Sequence, residues 1–209
     1  GRTNGYSTPS VSAQAAMIGQ AMKRAGRVPD QIDYVEVAAN GSPMGDAAEL
    51  RALSTAFKSS SAGHLCRIGS VKSNIGHLEA ASGISQLSKV LLQIRHRSFV
   101  PSLHSSPLNP EIDLTGTPFV VQTSLESWDA RGRPRCAGIS SIGAGGSSAH
   151  LIVEEHVDPS AFVSEVALRS DPALVILSGA TVDVLKLQCD RLADFLSEQP
   201  STSLDSIAY

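Results

Sequence analysis

Between Ser12 and Glu155, short apolar β-rich runs alternate with segments of helical periodicity, and this alternation confines the chain to an α/β architecture. Ser12–Ala25 places Ala13, Ala16, Met17 and Met22 along one side and meets Gly26, which predicts a helix and its stop. "IDYVEV" (32–37) has the length and composition of a buried strand. Asp46 and Glu49 have the D-x-x-E spacing of a helix cap, and Leu50, Leu53 and Phe57 follow at helical spacing. "RIGSV" precedes a polar turn, "KSNIGH", after which a longer helix from Glu79 is expected to carry Ala80, Ile84, Leu87, Leu91 and Ile94 on one face. Gly83 inside that helix costs about 1 kcal/mol against alanine and is expected where another backbone approaches closely. Pro101, Pro107, Pro110 and Pro118 mark an extended crossing, and "FVVQT", "RCAGISS" and "HLIVEE" read as three further strands.

Beyond Glu155 the periodicity weakens, so a domain boundary is expected near 157. A strand "LVILS", a helix from about Thr181 to Leu196 and the opening of another helix at "SLDSIAY" should follow it. A chain of 209 residues, 42% hydrophobic, can bury one full core and part of a second. Seventeen Lys and Arg against 20 Asp and Glu, with no basic run, argue against nucleic acid as a partner. No segment reaches the ~20 apolar residues of a membrane span, and no signal peptide is legible, so a cytoplasmic location is expected. Cys66, Cys136 and Cys189 are widely spaced and form no C-x-x-C, which suits a reducing compartment and suggests neither disulfides nor zinc. The opening Gly-Arg, without Met, suggests a fragment.

"VEVAANGSPMGD" (35–46) has the punctuation of an active-site turn but offers Ala38 and Ala39 where a catalytic side chain would stand. "GAGGSS" fails as a phosphate loop: no G-K-[ST] follows, Ser148 replaces the third glycine of G-x-G-x-x-G, and the next segment reads as strand. A glycine hairpin permitting close backbone approach fits better. His64, His96, His104 and His156 have no catalytic context. His77 stands between a polar turn and a helix start, where backbone N–H groups favour a neutral imidazole aimed at a cleft. No H-E-x-x-H or G-x-S-x-G motif occurs, and Cys136 within a strand suits a small core residue better than a nucleophile. The residues alone define an α/β domain with a candidate histidine site.

Four segments in order, "VEVAANGSPMGDAAEL", "GSVKSNIGHLEAASG", "VPSLHSSPLNPEID" and "GISSIGAGGSSAHLIVEE", resemble the C-terminal half of the β-ketoacyl synthase domain of modular polyketide synthases. The resemblance runs from about Asn4 to Glu155, and the tail from Pro172 to Tyr209 is similar to the linker subdomain that follows such ketosynthases. "GAGG" and "VEVAANGS" look most like assembly lines served by free-standing acyltransferases. The fold implied is thiolase-like: the C-terminal half of an α/β/α/β/α layered domain (residues 1–157), followed by the start of a small α/β linker subdomain (158–209).

By this resemblance, His77 is the second catalytic histidine, in its N-I-G-H motif, and Lys72 is the lysine that orders the site by hydrogen bonding. The backbone N–H of Ala144 would contribute to an oxyanion hole, and Asn40 and Ser42 would contact the pantetheine arm. Aligning "GSPMGD" with the family's G-T-P-L-G-D puts the first histidine, of H-G-T-G-T, at Ala38. The family's nucleophilic cysteine belongs to the N-terminal half and has no counterpart here. The resemblance implies no cofactor of the chain's own, since substrates ride on the phosphopantetheine of a carrier protein. Acyl carrier protein domains, the N-terminal half and a second copy are the implied partners. Three functions stay open: a non-elongating ketosynthase that relays acyl chains between carriers, a conventional decarboxylating one, and a silent dimerisation and docking platform. The isolated 209 residues are expected to be inactive.

Overall fold

The structure is a computed structural model that describes residues 10–130, 132–143, 145–157, 174–202 and 207–208. The chain divides into two compact units, Gly1–Val157 and Asp158–Tyr209. The first is built on a five-stranded sheet in the order β4-β2-β1-β6-β7. Strands β1 (Tyr34–Glu36), β2 (Cys66–Gly69), β4 (Phe119–Val121) and β6 (Cys136–Ile142) run parallel, while β7 (Ser148–Glu154) returns antiparallel along β6. A two-stranded antiparallel ribbon joins β3 (Ser98–Phe99) to β5 (Glu126–Ser127).

Alternation along β1 divides the core. Val35 and Val37 face helices α1 (Val11–Arg24) and α2 (Pro43–Ala56), where Ile18, Met22, Leu50, Leu53, Phe57, Cys66 and Phe119 complete one cluster. Tyr34 faces the opposite side with Ala137 and Ile139, against Val90 of α4 (Ser82–His96), Phe99 and Trp128. Cys66 and Cys136 are buried in the first cluster, and burial pushes the Cys66 thiol well up and the Cys136 thiol to about 11, which suits core residues rather than nucleophiles.

Several sequence expectations need correcting. The buried side of α1 is Gln14, Ala15, Ile18 and Met22; Ala16 is exposed and Met17 only half-buried. Helix α2 starts at Pro43, with the Ser42 hydroxyl accepting from the Gly45 N–H, so Asp46 and Glu49 lie inside it and bind elsewhere. Lys72–Ile75 forms a one-turn helix, α3, instead of a bare turn. Gly83 meets no close backbone among the described residues, where a Cβ would find only the Ser141 Oγ at 4.0 Å. On α4 the inward residues are Ser82, Gln86, Lys89, Val90 and Gln93, whereas Ile84 and Leu91 are exposed. Much of the sheet-facing stripe is polar because Gln86 reaches the Val37 and Ser140 carbonyls and Lys89 the Glu36 carboxylate.

In the second unit, Thr181 caps α5 (Val182–Glu198), as its sequence predicts. "LVILS" forms no strand: Leu174 and Ile176 are 75% and 79% exposed, and no neighbouring strand pairs with them among the described residues. The terminal "SLDSIAY" lies mostly outside the described residues. Among those described, no helix is long and apolar enough to cross a membrane.

Candidate active site

The carboxyl ends of parallel strands are where open α/β sheets place ligands, because chain reversals leave a crevice there. Past β1, the chain enters the turn 38–42. Asp46, projecting back from α2, accepts from the N–H groups of Asn40 (3.1 Å) and Gly41 (3.0 Å), and Asn40 Oδ1 accepts from Ser42 N–H at 3.0 Å. Gly41 has φ 91°, a left-handed conformation that side chains resist. The turn is therefore fixed through its backbone. The side-chain nitrogen Nδ2 of Asn40 and the hydroxyl proton of Ser42 take no part in these bonds.

Ala38 is held on both sides. Its N–H donates to Glu49 Oε1 at 2.8 Å, and its carbonyl accepts from Lys72 Nζ. Burial raises the Glu49 carboxyl to about 7, opposed by the Ala38 N–H and by Lys72. Burial also lowers Lys72, while Glu49, Glu36 and Asp46 pull it back up. A methyl group thus occupies a position whose backbone is pinned by a buried carboxyl and a lysine.

His77 is exposed, and its Nδ1 accepts from the Glu79 N–H at 3.0 Å, with Ser82 Oγ at 2.9 Å. Glu79 adopts φ 47°, left-handed, in making that contact. A backbone N–H can only donate, so the bond assigns the neutral ring its proton on Nε2. Asn40 and Lys72 line a groove of about 540 Å³ with Ser70, Ser102, His104 and Asn109, over an apolar floor that includes Leu50, Ile68 and Val121. Ala38, Ser42 and His77 are outside its lining. The glycine loop is a tight hairpin: Gly143 N–H donates to the Ser147 carbonyl at 2.7 Å, and a Cβ on Gly143 would stand 2.9 Å from that oxygen. Ala144, the expected oxyanion donor, lies outside the described residues.

Sequence reasoning missed two groups. Glu49 looked like a helix cap, and only tertiary contact reveals it beneath Ala38. His150, on β7, has Nδ1 3.0 Å from Ser140 Oγ and a buried Nε2 without a partner among the described residues; burial lowers the ring to about 4.

The family description "Beta-ketoacyl synthase, C-terminal domain" matches residues 1–106, and "Ketoacyl-synthetase C-terminal extension" matches 108–208. The chain belongs to the β-ketoacyl synthase family and carries its C-terminal domain. It is similar over its whole length to polyketide synthase ThaG of Burkholderia thailandensis, 43% identical over 219 residues, and to PksL of Bacillus subtilis, 41% over 221. It spans only 4% and 5% of those proteins. Among solved structures, it matches the OzmH KS7 ketosynthase domain of oxazolomycin from Streptomyces albus with 42% identity and TM-score 0.72, covering 100% of this chain and 37% of that one. The module 6 ketosynthase of the bacillaene synthase from Bacillus subtilis matches with 36% identity and TM-score 0.72, covering 100% and 35%. The fold is thiolase-like, and the chain accounts for just over a third of such a domain.

Proposed function

We propose that the chain is the distal part of a polyketide-synthase ketosynthase that transfers acyl chains between carrier proteins without elongating them. The observation carrying this reading is Ala38: its backbone is pinned by Glu49 and Lys72, yet its side chain can neither donate to a carbonyl nor accept a proton. In the reaction proposed, a cysteine thiolate of the complementary N-terminal half attacks the thioester of an acyl carrier. The thioester bond to pantetheine breaks as the bond to cysteine forms, and a second pantetheine thiol reverses the exchange. His77, with its assigned Nε2 proton, is a donor for the thioester oxygen, and Asn40 and Ser42 offer hydrogen bonds to the pantetheine arm. Decarboxylating a malonyl thioester makes a further charge that the missing imidazole would stabilise, and losing one such group costs about 10² to 10⁴ in rate. The wording of "GAGG" and "VEVAANGS" supports an assembly line served by free-standing acyltransferases.

The test is intact mass spectrometry of the complete domain, given first an acyl thioester and then a malonyl carrier protein. Acyl mass on the enzyme without an elongated product is expected. An elongated product would return the domain to conventional condensation, and no mass gain would leave only a docking platform.

A further inference from the structure

A second buried carboxyl lies under the site, on the opposite face of β1 from Glu49, and the acyl-transfer chemistry does not use it. Glu36 is fully buried. Its Oε2 accepts from Tyr34 Oη at 2.6 Å and from Lys89 Nζ at 2.8 Å, and Lys89 Nζ also donates to Tyr34 Oη at 2.8 Å. Its Oε1 takes no part in that pair. It accepts instead from the backbone N–H of Val71 at 2.5 Å. Burial raises the Glu36 carboxyl, and the neighbouring Lys89 pulls the other way.

The two oxygens thus have separate tasks. Val71 precedes α3 at its N-cap position, where no side chain of its own caps the helix. Lys72 follows directly and returns to the Ala38 carbonyl. Ala38 is two residues beyond Glu36. The two hydrogen bonds therefore close a small ring through residues 36–38 and 71–72, linking the end of β1 to the start of α3. The local backbone makes room for it: a Cβ on Gly69 would stand 2.8 Å from Tyr34 Oη and 3.5 Å from Lys89 Nζ.

We propose that Glu36 is a positioning residue: its Oε1 fixes the Ser70–Val71 peptide at the start of α3, so that Lys72, the next residue, holds the Ala38 turn in register with α3. Stability alone does not account for the arrangement, because a buried ion pair is often replaceable by apolar residues at little or no cost. What an apolar replacement cannot supply is the acceptor for Val71.

The assay rests on the acyl-transfer reading, and two variants of the complete domain separate the tasks. Tyr34→Phe/Glu36→Val/Lys89→Met removes every polar atom of the cluster, and Glu36→Gln/Lys89→Met removes the charges but keeps an oxygen for Val71. The first is expected to fold and to acylate about ten- to a hundredfold more slowly, the effect of a small misplacement of site groups. The second should stay within about threefold of the parent. Equal rates in parent and apolar variant, or equal losses in both variants, would overturn the proposal. If the apolar variant does not fold, Glu36→Asp decides: it keeps the charge beside Lys89 but retracts the oxygen from Val71, so parent-like acylation would again overturn it. Should the parent itself not acylate, the transfer reading fails separately. The positioning role is then read from hydrogen exchange of the Val71 and Lys72 amides, slow in the parent and the Gln variant and fast in the apolar one; uniform exchange would sink it.

Discussion

Burial disfavours the charged form of both Glu49 and His150, yet their effects on stability run in opposite directions with pH. The Glu49 carboxyl is raised from 4.5 to about 7, so the folded protein holds the proton more tightly. Its contribution is complete below pH 4.5 and is lost as pH rises through 7. His150 is lowered from 6.5 to about 4, so its contribution is complete above 6.5 and is lost as pH falls through 4. Glu49→Gln keeps an oxygen for the Ala38 N–H and removes one titration. Melting temperatures of the complete domain should therefore show the variant gaining on the parent from pH 4.5 to 7. A difference that does not change with pH would mean that Glu49 is ionised throughout. Ser42 offers a simpler test, since its hydroxyl caps α2. Ser42→Ala should cost about 1 kcal/mol in denaturant unfolding, at any pH. At this scale the sequence marked the turn, because Asn-Gly, Ser-Pro and Gly-Asp are local backbone signals. It did not mark Glu49 or His150, whose roles depend on which strand lies across from them.

At the scale of elements, α4 best separates what periodicity reveals from what it hides. The 3.6-residue period was legible and the helix is there, but the expected stripe splits: Leu87 and Ile94 pack against the cluster around Tyr34, while Ile84 and Leu91 are exposed. The sheet side also carries Gln86, whose amide donates to the Val37 and Ser140 carbonyls at 3.1 and 2.8 Å, and Gln93, whose oxygen accepts from Val100 N–H at 2.8 Å. A sequence scan assigns the apolar face inward because in a two-layer domain only one side of a helix is covered. A helix meant to lie between two layers violates that assumption. The parallel strands were found as apolar runs, whereas "LVILS" had the same composition and no partner among the described residues, which composition cannot report. Val90, fully buried against Tyr34 and Trp128, and Leu92, 53% exposed, provide the contrast. Within this unit Val90→Ala should lower the local stability read by hydrogen exchange of the β1 and β6 amides by about 1 to 3 kcal/mol. Leu92→Gln should change the same exchange in the chain alone by no more than about 0.5 kcal/mol. If Leu92→Gln proved the more damaging in the isolated chain, the outward face would have to be packed within it.

At the scale of the whole molecule, that outward face extends beyond α4. Ile75, Leu78, Ile84, Leu91 and Leu92, all from Lys72 to His96, are between 43% and 62% exposed. The solved ketosynthases that this chain matches are nearly three times its length, since it covers 37% and 35% of them. A layered fold of that size needs cover for the second face of a central helix, and burying apolar area yields about 25 cal/mol per Å². Expressed as these 209 residues alone, the chain should therefore bind a hydrophobic dye, self-associate and melt without a single cooperative transition. Co-expression with the N-terminal half of the same ketosynthase should suppress dye binding and give one cooperative melt. Leu91→Gln together with Leu92→Gln should weaken that rescue while making the chain alone more soluble. These opposite effects are the discriminating result, because damage to the internal packing of this unit would reduce solubility and rescue together.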